Sequence, residues 1–242
     1  TSRSTPPLHT MRSLYSLAEH VHVCQTGRYF VFLDLKRDRY FSIPREPVIQ
    51  LAKSVIGWDF CADTAANGST NLSPSELELA HSLTAADVLQ LCQGTDRART
   101  RVAAPVPTDD VPTSCRAMDR TPSFHRTSIA KALITAHLQL KYRPLHTIIS
   151  AVVHRKDSAS SPETASDITL IAALTKVFLR YRPLFPRKYL CLFDSIALLN
   201  FLSQYDLYPT WIFGVREEPF YAHCWIQANT LVLNDYRDKV SS

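Results

Sequence analysis

The chain has 242 residues, 45% of them hydrophobic, enough for one large packed domain or two small ones. Its net charge of +5 is spread along the sequence rather than massed in one basic stripe, which argues against a nucleic-acid partner and leaves a mildly basic surface suited to an acidic peptide. No segment reaches a membrane-spanning apolar length, so no membrane partner is expected, and the scattered cysteines read as reduced thiols of a cytoplasmic protein.

Residues 1–12 are polar and Pro-rich, unlike a secretory signal, and are expected to be a disordered extension outside the fold. The first structured region is read as 13–94. Its runs 21–24, 28–35 and 39–43 are dominated by β-branched and aromatic residues, which predicts three strands. The polar break Lys36-Arg37-Asp38 suits a hairpin between the second and third. Residues 47–56 carry a helical apolar stripe. Ser73-Pro74-Ser75-Glu76 combines an N-cap, a first-turn Pro and an acid three positions on, which predicts a helix start. A further helix is expected from Thr84, with Thr84-Ala85-Ala86-Asp87 as a capping-box variant, ending at Gly94.

From 95 to 124 the sequence turns rich in Pro, Thr, Arg and Asp, and a flexible linker is expected. The second domain is read as 125–242. Ile129, Leu133, Ala136 and Leu140 have helical spacing, a second helix follows Pro144, and a third begins near Ile168. After an apolar helix starting at Cys191, residues 211–215, 221–227 and 230–234 are strand-like. Helices followed by strands predict an α+β fold.

The chemistry concentrates in the last fifty residues. Cys191 opens an apolar helix (Ile196, Leu199 and Leu202 follow at helical spacing), where the helix dipole favours a thiolate. A lone cysteine is also a common small core residue, and that reading stands beside the first. In an extended 220–227 segment Tyr221, His223, Trp225 and Gln227 share one face, so His223 is either packed among aromatics or a base in a dry cleft. A hairpin turning at Ala228-Asn229 brings Asp235 towards His223, where a carboxylate would fix the imidazole. Asp235 equally suits a strand-end turn. Cys224, adjacent to His223, should face away from the imidazole into the core. The six cysteines (24, 61, 92, 115, 191 and 224) lack C-x-x-C spacing, so neither a metal site nor a disulfide framework is expected.

Three motifs carry a family resemblance: Cys191-Leu192-Phe193-Asp194-Ser195-Ile196-Ala197-Leu198, then Gly214-Val215-Arg216 leading through Pro219-Phe220 to Ala222-His223-Cys224-Trp225, then Val232-Leu233-Asn234-Asp235. Together they resemble the transglutaminase-like cysteine protease of lasso-peptide biosynthesis, the B protein. The resemblance implies a transglutaminase-like or papain-like α+β domain in which Cys191 is the nucleophile, His223 the base and Asp235 its orienter. Cys224 departs from the family, which often has Ala there. The stretch from Phe32 to Ile43 resembles the PqqD-like leader-recognition domain, a winged-helix unit of three strands plus helices. That implies a fused protein in which Arg39, Tyr40, Phe41, Ser42 and Ile43 form the edge that takes a leader peptide as an added strand, with the helix from Thr84 as the other wall. An ordinary hairpin covered by helices accounts for the same residues.

The implied activity is hydrolysis of the leader–core amide of a ribosomally made precursor. Cys191→Ala should abolish cleavage and keep leader binding, and a charge or Pro at Phe41 should do the reverse. The implied partners are that precursor peptide and an ATP-dependent macrolactam-forming cyclase. No cofactor bound by this chain is expected. With no G-x-x-x-x-G-K-[ST] loop present, the ATP dependence implied by the family is assigned to the cyclase. An acyltransferase using the same triad and a non-catalytic peptide-binding adaptor are the competing readings.

Overall fold

Aromatic and β-branched residues set the first strands, Tyr15–Leu17 (β1), Val21–Gln25 (β2), Tyr29–Asp34 (β3) and Arg39–Pro44 (β4), in the computed structural model. It describes residues 15–58, 72–92, 104–111, 123–159, 164–188 and 190–240, which divide into two compact units, within Thr1–Val102 and within Ala103–Ser242. The expected disordered extension, residues 1–12, lies outside the described residues.

In the first unit β2, β3 and β4 form an antiparallel sheet in that order, with Val23, Phe32 and Phe41 in register. The β3–β4 turn is closed by Asp34, which is fully buried and accepts from the backbone N–H groups of Lys36 and Arg37 and from the Arg37 guanidinium. After a 3-10 turn at Glu46–Val48 come Ile49–Ser54 (α1), Val55–Ile56 (β5), Pro74–Ala85 (α2) and Leu89–Leu91 (β6). Strands β5, β1 and β6 make a second small sheet, β1 running parallel to β5 and antiparallel to β6. Trp58 meets Phe30 and Phe32 edge-on at 5.2 and 5.0 Å, in a core shared with Leu51, Ala80, Leu83 and Leu89. Ser73 and Glu76 form the capping box their spacing predicts.

Two sequence expectations need correction here. The stripe over 47–56 is helical only for Ile49–Ser54, and its last two residues pair with β1 instead. No helix runs on from Thr84. Asp87 adopts φ 59, Val88 N–H closes on Leu83 C=O, and Leu89 is buried in strand β6 against β1. Burial of Val88 and Leu89 outweighs the local helix signal. The proposed second wall of a peptide groove is therefore absent as a helix.

The second unit contains Asp109–Asp110 (β7), Ser123–Tyr142 (α3), Leu145–Ser158 (α4), Ala165–Tyr181 (α5), Cys191–Leu202 (α6), Thr210–Arg216 (β8), Tyr221–Ala228 (β9), Leu231–Val232 (β10) and Arg237–Val240 (α7). Its sheet order is β7-β10-β9-β8. The chain is thus α+β. Part of the expected linker behaves otherwise: β7 pairs in parallel with β10, and Val111 donates to Val232 C=O and packs on the core. Main-chain pairing needs few apolar side chains, so low hydrophobicity did not forbid order there.

Helix α6 is the centre of this unit. It packs between α3 and β9, and Phe193, Ile196, Leu198, Leu199, Phe201 and Leu202 are all buried. Each contributes about 1.5–3 kcal/mol. On α3, Ile129, Ala132, Leu133 and Ala136 form the buried facing stripe, the alanines allowing close approach. Burial on this scale fixes where the first residue of α6, Cys191, sits. Among the described residues no helix is long and apolar enough to cross a membrane.

Candidate active site

Position N-cap of α6 is Leu190, extended at φ −135, ψ 125, with no side-chain oxygen to cap the helix. The first-turn N–H groups have no intrahelical carbonyl, so this end of the helix favours negative charge. Asp194, in the same turn, accepts from Leu190 N–H at 3.1 Å and from Arg182. Arg182 is 1% exposed and also donates to the carbonyls of Arg187 and Lys188, each at 3.2 Å. One buried guanidinium thus folds the approach to Cys191.

Strand β9 carries the second group. Tyr221, His223 and Trp225 stack along one face, with centroids 5.7 and 6.2 Å apart, as strand alternation predicts. After a turn in which Asn229 has φ 49, strand β10 pairs with β9 at Leu231–Val232, Leu233 N–H still bonds Ile226 C=O at 2.9 Å, and the chain then leaves. Asn234 replaces the missing ladder partner. Its Oδ1 accepts from Ile226 N–H at 2.8 Å, and its Nδ2 donates to Ser195 Oγ on α6 at 2.9 Å. The next residue, Asp235, is thereby delivered to His223, and its Oδ2 pairs with Nε2. Nδ1 meets the Tyr221 hydroxyl at 3.3 Å.

The departure of β10 opens the edge of β9 at Cys224, and Cys191 fills it. Its sulfur interacts with the Cys224 thiol, the Cys224 backbone N–H and His223. These hydrogen bonds, led by the Cys224 thiol and helped by the His223 charge, outweigh burial and lower the Cys191 thiol from 9.0 to about 5. Cys224 moves the opposite way. The adjacent Cys191 thiolate, then burial, raise it far above the ordinary thiol range. The structure brings Cys191, His223 and Asp235 together. It also buries Cys224 as expected, but against the Cys191 sulfur, which alternation alone did not anticipate.

A cavity of about 260 Å³ opens beside His223, lined by Gly214, Arg216, Tyr221, Trp225 and Lys239 among others. The much larger cavity of this unit, about 1430 Å³, is bordered by Arg155, Asp206, Thr210 and Asn229 and includes none of the three residues. Size does not mark the chemistry here. Gly214 lies opposite His223 in the β8–β9 register, and a Cβ there would sit 2.8 Å from the Trp225 ring.

The residues expected to hold a peptide, Arg39, Tyr40, Phe41, Ser42 and Ile43, all lie on β4, the terminal strand of its sheet. Phe41 stacks on Phe32 at 4.8 Å and packs with Ile43 on the first unit's core. Arg182, Asn234, Ser195 and Tyr221 were missed as site residues. Arg182 alone had no signal: Ser195 and Asn234 lie inside the motifs around Cys191 and Asp235, and Tyr221 lies on the His223 face of its strand.

Residues 130–242 match the Transglutaminase-like superfamily. The chain is also similar to the microcin J25-processing protein McjB of Escherichia coli, at 39% identity over 54 residues. That match covers 21% of this chain and 26% of the relative's length. No solved structure gives a significant match. The second unit therefore carries a transglutaminase-like domain over residues 130–242, in a chain with a short stretch similar to a microcin J25-processing protein.

Proposed function

We propose that the protein is a leader peptidase of lasso-peptide maturation. The observation that carries this reading is the cluster at the α6 N-terminus: a thiol lowered to about 5 beside an imidazole paired with a carboxylate. The Cys191 thiolate attacks the scissile carbonyl. His223, held by Asp235, gives its proton to the leaving amine as the C–N bond breaks, leaving a thioester on Cys191. Water then adds to the thioester while His223 takes its proton, releasing the leader as a carboxylate and restoring the thiolate.

In this proposal the first unit holds the leader along β4 by strand addition, so cleavage becomes nearly intramolecular and needs little side-chain recognition at the cut. The freed core N-terminus passes to an ATP-dependent macrolactam-forming cyclase, which carries the nucleotide requirement. A reducing, cytoplasmic setting suits a working thiolate.

The test is incubation of the full chain with a leader–core precursor peptide, read by mass. Hydrolysis gives two fragments whose masses sum to the precursor plus one water, and Cys191→Ala gives none. The match to the Transglutaminase-like superfamily favours one second reading, acyl transfer. A supplied amine appearing on the leader in place of water would establish it. Cleavage by the Cys191→Ala variant would overturn both.

A further inference from the structure

Two cysteines meet at the candidate nucleophile. Cys224 is 3% exposed and sits on the α6 side of β9, its Sγ 3.9 Å from the Oγ of Ser195, one helical turn beyond Cys191. Helix α6 packs on β9, so Cys191 faces the same strand segment, and its sulfur interacts with both the thiol and the backbone N–H of Cys224. Cys191 is only partly buried, so small solutes reach it, whereas Cys224 is shielded. A shielded thiol against an accessible, activated one is the arrangement of a resolving and a reactive cysteine. An apolar side chain would fill the Cys224 position without setting a second sulfur beside the nucleophile.

We propose that Cys191 and Cys224 form a reversible oxidation site that silences the nucleophile and shields it from irreversible damage. The oxidant is a hydroperoxide. Its distal oxygen is transferred to the Cys191 thiolate, the O–O bond breaks, and the departing alkoxide or hydroxide takes a proton, leaving Cys191 as a sulfenic acid. The Cys224 sulfur then attacks the oxidised sulfur. Its own proton leaves with the hydroxyl as water, and a Cys191–Cys224 disulfide forms. Sulfur is oxidised by two electrons and the peroxide reduced by two. A dithiol reverses the step by exchange. Once the sulfur of Cys191 no longer carries the negative charge that keeps Cys224 protonated, the barrier to resolution falls. The regulatory meaning rests on the peptidase reading, whereas the sulfur chemistry does not.

The full chain is treated with excess hydrogen peroxide, then mapped by non-reducing peptide mass spectrometry. Cys191 labelling by iodoacetamide is read before oxidation, after it, and after dithiothreitol. In the wild type a linked Cys191–Cys224 peptide appears, labelling is lost, and dithiothreitol restores it. In Cys224→Ala the sulfenic acid has lost its neighbouring thiol and proceeds to sulfinic acid, so labelling stays lost. Absence of the linked peptide from oxidised wild-type protein overturns the proposal without needing any variant. So does full recovery of labelling in Cys224→Ala. A linked peptide in a protein that never cleaves the precursor keeps the oxidation site and removes the peptidase reading. Cleavage without the linked peptide does the reverse.

Discussion

Arg182, which is buried, and Asp194, which is partly buried, form an ion pair that ties the segment leading into Cys191 to the first turn of α6. The guanidinium is 1% exposed and spends its remaining donors on backbone carbonyls of 185–188, so no water replaces a lost partner. Arg182→Met leaves the Asp194 carboxyl with Leu190 N–H but without its cation, and takes the donor from those carbonyls, at an expected cost of about 3–5 kcal/mol. Arg182→Met with Asp194→Leu should recover part of it. Denaturant unfolding of the two variants checks the order. A single variant as stable as wild type would show that other contacts fix the approach to Cys191.

The lowered thiol sets a pH profile. A group titrating at about 5 rather than 9.0 is thiolate throughout the neutral range, so alkylation of Cys191 should rise through pH 5 and level off well below the ordinary thiol range. The Cys224 thiol is the largest stabiliser of the thiolate, and His223 adds to it. Cys224→Ala and His223→Ala should therefore each move the half-point upwards, so less thiolate remains at a given acidic pH. Iodoacetamide rates against pH measure this directly. A half-point unmoved in both variants would leave the helix terminus as the sole cause.

Much of this site was legible because its parts are local. His223 and Asp235 lie on one hairpin, and a period of two places Tyr221, His223 and Trp225 on a common face. Cys191 announces itself at the start of an apolar run. Arg182 was hidden because its value lies in burial, which an arginine twelve residues before its partner does not advertise. The contact between Cys191 and Cys224 was hidden too, since it depends on the chain leaving β9 after Leu233. In the first unit the three longer strands showed in composition. The three-residue strands β1 and β6 and the two-residue β5 are too short for any period to register. The helix expected from Thr84 failed for a related reason. Its cap signal was local, and the burial of Leu89 against β1 was not.

Glu76 joins two helices. Its Oε2 takes Ser73 N–H at 2.9 Å in its own capping box, and its Oε1 takes Leu51 N–H of α1 at 3.0 Å. Burial pushes this carboxyl up, but the hydrogen bonds from Ser73 and Leu51 prevail and hold it below the usual 4.5. A depressed folded-state pKa contributes stability above the unfolded value, and that contribution disappears as pH falls through the folded one. Glu76→Ala should cost about 1–3 kcal/mol at neutral pH. The gap between variant and wild type should close below pH 4.5, the ordinary carboxyl value. Urea titrations across that range check it, and a gap independent of pH would assign the loss to packing.

Gly214 keeps the Trp225 indole where it stacks on His223. An added Cβ would meet two ring carbons at 2.8 and 3.1 Å, and the indole is 7% exposed with little room to yield. Gly214→Ala should cost about 1–3 kcal/mol through overpacking. It should also lower kcat for precursor cleavage, with a smaller change in KM, because the imidazole is displaced rather than the peptide. Wild-type kcat in a destabilised protein would separate the indole from the catalytic geometry.

The peptide edge is best tested at Ser42 rather than Phe41. Phe41 stacks on Phe32, so a charge or Pro there disrupts the first unit itself and confounds loss of binding with loss of fold. The ladder supplies an alternative. Arg45 N–H bonds Arg28 C=O, one step beyond the Tyr29–Pro44 pair. In an antiparallel sheet the pairs then alternate, so the N–H of Ser42, opposite Val31, points away from β3 to the side on which no described strand pairs. Proline is tolerated at such an edge position because it removes no ladder bond. Ser42→Pro should leave the unfolding midpoint nearly unchanged yet weaken leader-peptide binding by about 0.5–1.5 kcal/mol, the net value of one hydrogen bond. Fluorescence anisotropy of a labelled leader peptide reads the affinity, and thermal unfolding reads the fold. Undiminished binding in a folded Ser42→Pro protein would remove β4 as the leader's docking strand.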